Sequence, residues 1–339
     1  MPPRPAPAVI VVGSYVQDLT WRCAAFPQAG ETTLGRFDTG PGGKGSNQAI
    51  AAGRAGASTL FVGAVGKDAF ADVAKRFYAA NKIAARFVAK PAHATGTAAI
   101  LVDARGQNEI VVALGANAAL VPRDLPASLF KGARLVVTQF ESDLALVEHA
   151  LRAGRRAGAA TLLNPAPMRP DFDPSLLRHV DILVPNETEF VALINRLGLA
   201  RTRGATARTG KRRPAAAYTE ADLAAESPES LHALCRRLGP PTVIITLGSR
   251  GCFVSQTSDG DLVPAHRVEV VDTTGAGDAF VGGFAAGFVK HAGDILAAAR
   301  QGQAVAALSV TKPGTAPSMP TAKELAAFLQ KLPKPAPRT

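Results

Sequence analysis

The nine residues Asp272-Thr273-Thr274-Gly275-Ala276-Gly277-Asp278-Ala279-Phe280 carry the densest chemistry in the chain. Three small residues, Gly275, Ala276 and Gly277, let backbone N–H groups come close to a ligand. They stand where an apolar helix begins. A helix N-terminus carries partial positive charge, so the two features together make an anion hole. A carboxylate beside such a hole is a poor phosphate ligand. It suits a general base that takes the proton of a hydroxyl attacking phosphorus, which is the role assigned to Asp278. An aspartate there can also simply cap the helix in its first turn. The glycines around it favour the chemical reading.

A second glycine cluster is Gly40-Pro41-Gly42-Gly43-Lys44-Gly45-Ser46-Asn47. Gly40, Gly42 and Gly45 match GxGxxG formally, but residues 35–39 do not read as a buried strand and the cluster does not follow strand one, so it is no dinucleotide fingerprint. It is no Walker A loop either, because Lys44 is followed by Gly45 rather than Ser or Thr. What remains is backbone packed against a polar ligand, with Lys44 and Asn47 as donors. The six histidines show no HExxH or paired spacing, which excludes a histidine metal site.

These clusters need a scaffold, and the hydrophobic pattern supplies one. Short β-branched runs at Val9–Val12, 59–62, 135–138, 161–163, 182–184 and 243–246 read as buried strands. Helical patterns lie between them at 48–55, 69–81, 144–157, Glu187–Arg196 and 228–238, followed by apolar helices at 278–291 and 295–310. Alternating strands and helices imply parallel βαβ units with helices on both faces. Residues 267–271 read as a strand leading into the Asp272 motif. Residues 32–37 and 97–113 alternate like half-exposed antiparallel strands, with a turn at Arg105-Gly106, and form a separate small sheet in this reading. In such a sheet, ligands bind beyond the carboxyl ends of the strands. Those ends carry Ser14 and Asp18, Glu141, Asn164, Asn186 with Glu187 and Glu189, and Thr246. A single polar cap after a strand is ordinary; five together suggest a site.

Composition bounds the function class. The chain has 339 residues, 47% of them apolar, enough for a large core and too apolar for disorder. Its longest apolar run, 279–289, is about half the roughly 20 residues of a membrane helix, so no membrane span is expected. The proline-rich start does not read as a signal peptide. Cys23, Cys235 and Cys252 form no CxxC pair, so a reducing, cytoplasmic setting is expected. The net charge of +11 raises the question of nucleic acid. Six of those charges, Arg201, Arg203, Arg208, Lys211, Arg212 and Arg213, crowd into residues 199–217, which lack hydrophobic periodicity and read as a flexible inserted loop. No nucleic-acid partner is therefore expected.

With these residues in view, the sequence resembles the ribokinase/phosphofructokinase-B family of sugar kinases over nearly its whole length. The resemblance rests on Gly42 to Ala49, Gly115-Ala116-Asn117, Asn164-Pro165-Ala166-Pro167, Asn186-Glu187-Thr188-Glu189, Thr246 to Gly251 and Asp272 to Asp278. It implies one α/β domain over residues 1–339, with a doubly wound, mostly parallel sheet of about nine strands. It also implies a small β-sheet lid within about 14–41 and 95–115. The activity implied is transfer of phosphate from ATP to the 5-hydroxyl of D-ribose, with Mg²⁺ accompanying ATP, K⁺ as activating cation, and a homodimer joined through the lid.

Site residues follow by position. Asp278 matches the catalytic base, and Gly275, Ala276 and Gly277 the anion hole. Val16, Asp18, Gly42, Gly43, Lys44, Gly45, Asn47, Glu141 and Asp278 itself fall on sugar-binding positions. Asn186, Thr246, Gly248, Gly251, Gly277 and Gln303 fall on ATP-binding ones, and Glu189 on a carboxylate that acts on Mg²⁺ through water. Asp272, Thr274, Ser309, Lys312, Gly314 and Ser318 match the monovalent-cation site. One position departs from the pattern: many bacterial members carry Asn where this sequence has Val16, which opens the choice of sugar. A sibling kinase acting on deoxyribose, another pentose or a nucleoside is the first rival. A polyanion binder working through the basic insert is the distant one.

Overall fold

The computed structural model describes residues 6–199 and 217–331. The basic insert expected at 199–217 lies almost wholly outside the described residues. Among those described, thirteen strands form two sheets. In chain order they are β1 (Val9–Val12), β2 (Val16–Cys23), β3 (Gly35–Gly42), β4 (Thr59–Val65), β5 (Ala84–Ala89), β6 (Gly96–Val102), β7 (Asn108–Ala113), β8 (Leu135–Gln139), β9 (Ala160–Asn164), β10 (Ile182–Leu183), β11 (Thr242–Thr246), β12 (Cys252–Ser255) and β13 (Gly260–Val263). The larger sheet has nine strands in the order β13-β12-β11-β10-β9-β8-β1-β4-β5. It is parallel from β5 to β11; β12 and β13 add an antiparallel edge.

Nine helices pack on this sheet: α1 (Lys44–Arg54), α2 (Ala69–Ala80), α3 (Leu144–Arg156), α4 (Glu187–Arg196), α5 (Glu220–Ala225), α6 (Pro228–Arg237), α7 (Ala276–Lys290), α8 (Ile295–Ser309) and α9 (Ala322–Lys331), counted among the described residues. Successive strand residues point to opposite faces, so β1 divides its side chains between two cores. Val9 and Val11 join α1, α2, α7 and α8. Ile10 and Val12 face the α3 side with Leu146 and Ala150. Toward β10 and β11, a third cluster packs α4 to α6 through Phe190, Leu193, Leu223 and Leu231. Burial on both faces is why these strands read as unbroken apolar runs.

The second sheet has four strands in the order β3-β2-β6-β7 and forms the lid. Its composition differs from the expectation. The first segment runs Gly35–Gly42 rather than 32–37, and Thr32 to Leu34 lie outside it. The central strand, Val16–Cys23, falls inside the 14–41 span expected for the lid, but it was not among the segments read from alternation. Its polar residues Gln17, Asp18, Thr20 and Arg22 hide the strand, whose burial falls off along its length, from buried Val16 and Gln17 to exposed Trp21 and Arg22. The lid is anchored by Asn117, whose side chain accepts from the Tyr15 N–H at 3.1 Å and donates to the Tyr15 and Leu114 carbonyls at 2.7 and 2.9 Å. The Gly115-Ala116-Asn117 motif is thus a clamp at the lid's base. Two further corrections concern strands. Residues 267–271 pair with no strand; instead the Val271 and Asp272 N–H groups both donate to the Val310 carbonyl. The edge strand β5 was missed because half of its residues are only partly buried. All three cysteines are unpaired thiols, and no helix among the described residues is long and apolar enough to cross a membrane.

Candidate active site

Strands β1, β8, β9, β10 and β11 all end on one side of the sheet, and the polar residues that follow them converge there. A cleft of about 290 Å³ opens between those ends and the lid. Its floor includes Asn164, Glu189, Thr246 and the stretch from Thr273 to Asp278. Val16, Asp18, Gly43, Lys44, Asn47 and Glu141 form one wall, and Ala98, Ile100, Ile110 and Val112 of the lid form the roof.

Gly275 precedes α7 in the left-handed conformation, φ +77°. That turn brings the first α7 amides to the cleft, and no atom stands within 4 Å of where a Gly277 Cβ would sit. Asp278, in the first turn of α7, is 6% exposed. Its two oxygens accept from Asn47 Nδ2 and Gln48 Nε2, each at 2.9 Å. The carboxylate is therefore not consumed as a helix cap.

Of the residues expected at a sugar, Val16, Asp18, Gly43, Lys44, Asn47 and Glu141 line the cleft, and Gly42 and Gly45 do not. Gly43 sits at φ +87° before α1, and a side chain there would meet the Val16 backbone at 2.7 Å. Gly42 leaves room for Asp18, whose oxygens a Cβ at that position would crowd. Gly45 packs its Cα side against Gly13 and Ser14 rather than lining the cleft. Glu141 accepts from the Ser14 hydroxyl at 2.5 Å and from the Lys44 N–H at 2.9 Å, which ties α1 to the ends of β1 and β8.

The charges are tightly coupled. Burial pushes the Asp18 carboxyl up to about 7; the Thr315 hydroxyl, 3.1 Å away, works against this, and Glu141 and Asp278 add to it. Lys44 is the cation among these acids. Asp278 raises its ammonium above the ordinary value and burial opposes this, while Glu141 and Glu189 act with Asp278. Burial also raises Glu189, against the Asn186 amide and Lys44.

Asn186 caps α4: its Oδ1 accepts from the Glu189 N–H at 2.8 Å, and the Glu189 carboxylate accepts from the Asn186 N–H at 2.9 Å. This capping box leaves the Asn186 amide nitrogen and one Glu189 oxygen on the cleft side. Gly248 and Gly251 lie beyond the cleft in the turn between β11 and β12, both with positive φ, and Gln303 lies buried on α8 against the Cys252 thiol. At the back of the anion hole, Asp272 accepts from the Thr274 and Gly314 N–H groups at 2.9 and 3.0 Å, which hold its carboxyl below the ordinary range despite burial. It thereby joins the two segments that carry Thr274, Ser309, Lys312, Gly314 and Ser318. No cluster of three or more His, Cys, Asp or Glu side chains suited to a metal occurs among the described residues.

Sequence reading missed Gln48, Gln139, Thr315 and the apolar lid roof. Gln48 lay inside the Gly42 to Ala49 motif without a role, and nothing around Thr315 signals its contact with Asp18.

Set against known proteins, residues 6–322 match the pfkB family of carbohydrate kinases. The chain is 36% identical to a deoxyribokinase of Salmonella typhi, over 95% of this chain and 98% of that one. It is also 36% identical to the ribokinase of Mus musculus, over 94% of each. Its fold superposes on the ribokinase of Giardia lamblia with a TM-score of 0.82 at 31% identity, covering 96% of this chain and 99% of that one. The chain belongs to the pfkB family of carbohydrate kinases.

Proposed function

We propose that this kinase transfers the γ-phosphoryl group of ATP to the 5-hydroxyl of D-ribose, giving ribose 5-phosphate and ADP. The observation that carries the reading is the placement of Asp278. It stands at the start of α7, beside the amides of Gly275 to Gly277, in a cleft walled by Asp18, Lys44, Asn47 and Glu141, with Asn47 in direct hydrogen-bond contact at 2.9 Å. Asp278 takes the hydroxyl proton as the oxygen attacks the γ-phosphorus. The amides receive the charge that gathers on the transferred group. Asn186, Thr246, Gly248, Gly251 and Gln303 mark the nucleotide's path.

Mg²⁺ fits the donor set: Glu189 offers a hard carboxylate oxygen next to Asn186, within reach of a hydrated ion. Bound there it would neutralise phosphate charge. The two oxygens of Asp18 suit a vicinal diol, because each accepts one hydroxyl hydrogen.

A second reading rests on Val16. It is 2% exposed, walls the cleft, and offers methyl groups where a hydroxyl needs a partner. A buried polar group left unmatched costs about 1–3 kcal/mol, so this position favours a sugar that lacks one hydroxyl, 2-deoxyribose. The similarity to a deoxyribokinase supports the same reading. Steady-state kinetics on ribose, 2-deoxyribose, fructose and adenosine decide between them. The account expects the highest kcat/KM with ribose. A higher value with 2-deoxyribose establishes the second reading, and a preference for fructose or adenosine defeats both.

A monovalent cation, potassium, would be held by Asp272, Thr274, Ser309, Lys312, Gly314 and Ser318. Oxygen-only donors suit a hard, weakly held ion, and the Asp272 contacts to Thr274 and Gly314 bring those segments together. Activity should rise with K⁺ and less with Na⁺ at equal ionic strength; equal rates in both salts contradict the assignment. On the side away from the cleft the lid exposes Trp21, Phe37 and Val111, the last 73% exposed, with the Trp21 and Phe37 rings 5.1 Å apart. Contiguous apolar surface of this kind marks an interface, and a second copy packing lid to lid covers it. Light scattering should report a dimer at micromolar concentration. A monomer contradicts the pairing.

A further inference from the structure

Gln48 is fully buried behind the cleft wall and does not line the cleft. Its Nε2 donates to Asp278 Oδ1 at 2.9 Å and to Asn164 Oδ1 at 3.0 Å. Its Oε1 accepts from Gln139 Nε2 at 2.5 Å. Asn164 Nδ2 in turn donates to the Val184 carbonyl at 2.8 Å. A backbone carbonyl only accepts, so Val184 dictates which end of the Asn164 amide is which. Asn164 then dictates Gln48, and Gln48 dictates Gln139. The three amides have a single polarity, and it delivers an N–H to Asp278. The far end shows what this polarity requires: Gln139 Oε1 is buried without a partner. An unpaired buried acceptor is unfavourable, and turning the Gln139 amide over would only set its oxygen against that of Gln48.

Resting on the proposed role of Asp278 as the base, we propose that Gln48 is its positioning residue, held by the Gln139–Gln48–Asn164 amide chain so that a fixed N–H always meets the carboxylate. The contact locks the rotamer of Asp278 and leaves its remaining lone pairs toward the cleft. A donated hydrogen bond also favours the ionised, proton-accepting carboxylate, and linked amides polarise one another in the same sense. The charged groups facing Asp278 from other elements are Lys44 of α1, Asp18 of β2, Glu141 after β8 and Glu189 of α4. The Gln48 side chain hydrogen-bonds to Asp278, Asn164 and Gln139 and to none of these four, so substituting Gln48 leaves them in place.

The test measures kcat and both KM values from pH 5 to pH 9 in the full chain carrying Gln48→Met, which keeps the side-chain volume. Expected are a fall in kcat of about tenfold near pH 7 and an acidic limb moved upward by about one pH unit. Both KM values should stay within about twofold of the parent. Gln139→Met removes the donor to Gln48 Oε1 and loosens the Gln48 amide without turning it, because Asn164 still fixes its polarity, so it should move the limb the same way by less; it carries the test if Gln48→Met does not fold. An unmoved acidic limb in the folded variants, with kcat falling only alongside Tm, reduces Gln48 to packing and overturns the inference. Asp278→Asn separates the two claims. If it is inactive while Gln48→Met behaves as the parent, only the role of Gln48 falls. If Asp278→Asn is fully active, both fall.

Discussion

Replacing Asp278 with Asn should lower kcat by about 10²–10⁴-fold, the usual share of a positioned general base, with the fold intact. The side chain is nearly isosteric and stays buried against Asn47 and Gln48. What it loses is the ability to take a proton from the attacking hydroxyl. One of the two amide donors would also face an NH₂ group, so some loss of stability accompanies the change. Circular dichroism and a melting curve separate that from the loss of turnover. KM values for sugar and ATP should move little, because the contacts proposed for the sugar are mainly Asp18, Lys44 and Asn47. Near-normal turnover removes Asp278 from its role.

Asp18→Asn has the second largest expected effect, and it falls on binding. A carboxylate accepts two hydroxyl hydrogens, whereas an amide accepts at one end and presents donors at the other. Hydrogen bonds to charged groups contribute about 1.5–3 kcal/mol each, so kcat/KM for the sugar should fall by about 10–10²-fold, mostly through KM. Stability should move the opposite way. Burial holds the Asp18 carboxyl at about 7 against an ordinary 3.8. Between those values the folded chain keeps a proton that the unfolded chain has released, so stability falls as pH rises across that window. The Asn variant escapes this and should melt higher than the parent at pH 8, with the difference shrinking toward pH 4. The parent's sugar affinity should rise across pH 7 as Asp18 ionises. A variant that melts lower at pH 8 and still binds sugar normally contradicts this account of Asp18.

The residues explain what the sequence could and could not disclose. The parallel strands were legible because helices cover both their faces, so Val9 to Val12 and Leu135 to Gln139 are apolar almost without a break. The turn ahead of α7 was legible because Gly275 sits at φ +77°, a conformation that favours glycine. The lid was only half legible. Residues Val16 to Cys23 show no two-residue alternation of burial, and they pair with Gly42, Pro41 and Gly96 on neighbouring strands, which no local pattern reveals. Residues 267–271 look like a strand but only lay their end against the Val310 carbonyl. Thr315 and Gln48 act across separations of 297 and 230 residues. Chemistry of that kind comes from tertiary packing, which local spacing does not encode.

The most direct measurement is a crystal structure of the enzyme with ribose and a non-hydrolysable ATP analogue. The account predicts the sugar's 5-hydroxyl within hydrogen-bond reach of Asp278, about 2.6–3.2 Å, and the terminal phosphoryl on the amides of Ala276 and Gly277. A primary alcohol turned away from Asp278, with the phosphoryl bound elsewhere in the cleft, contradicts it.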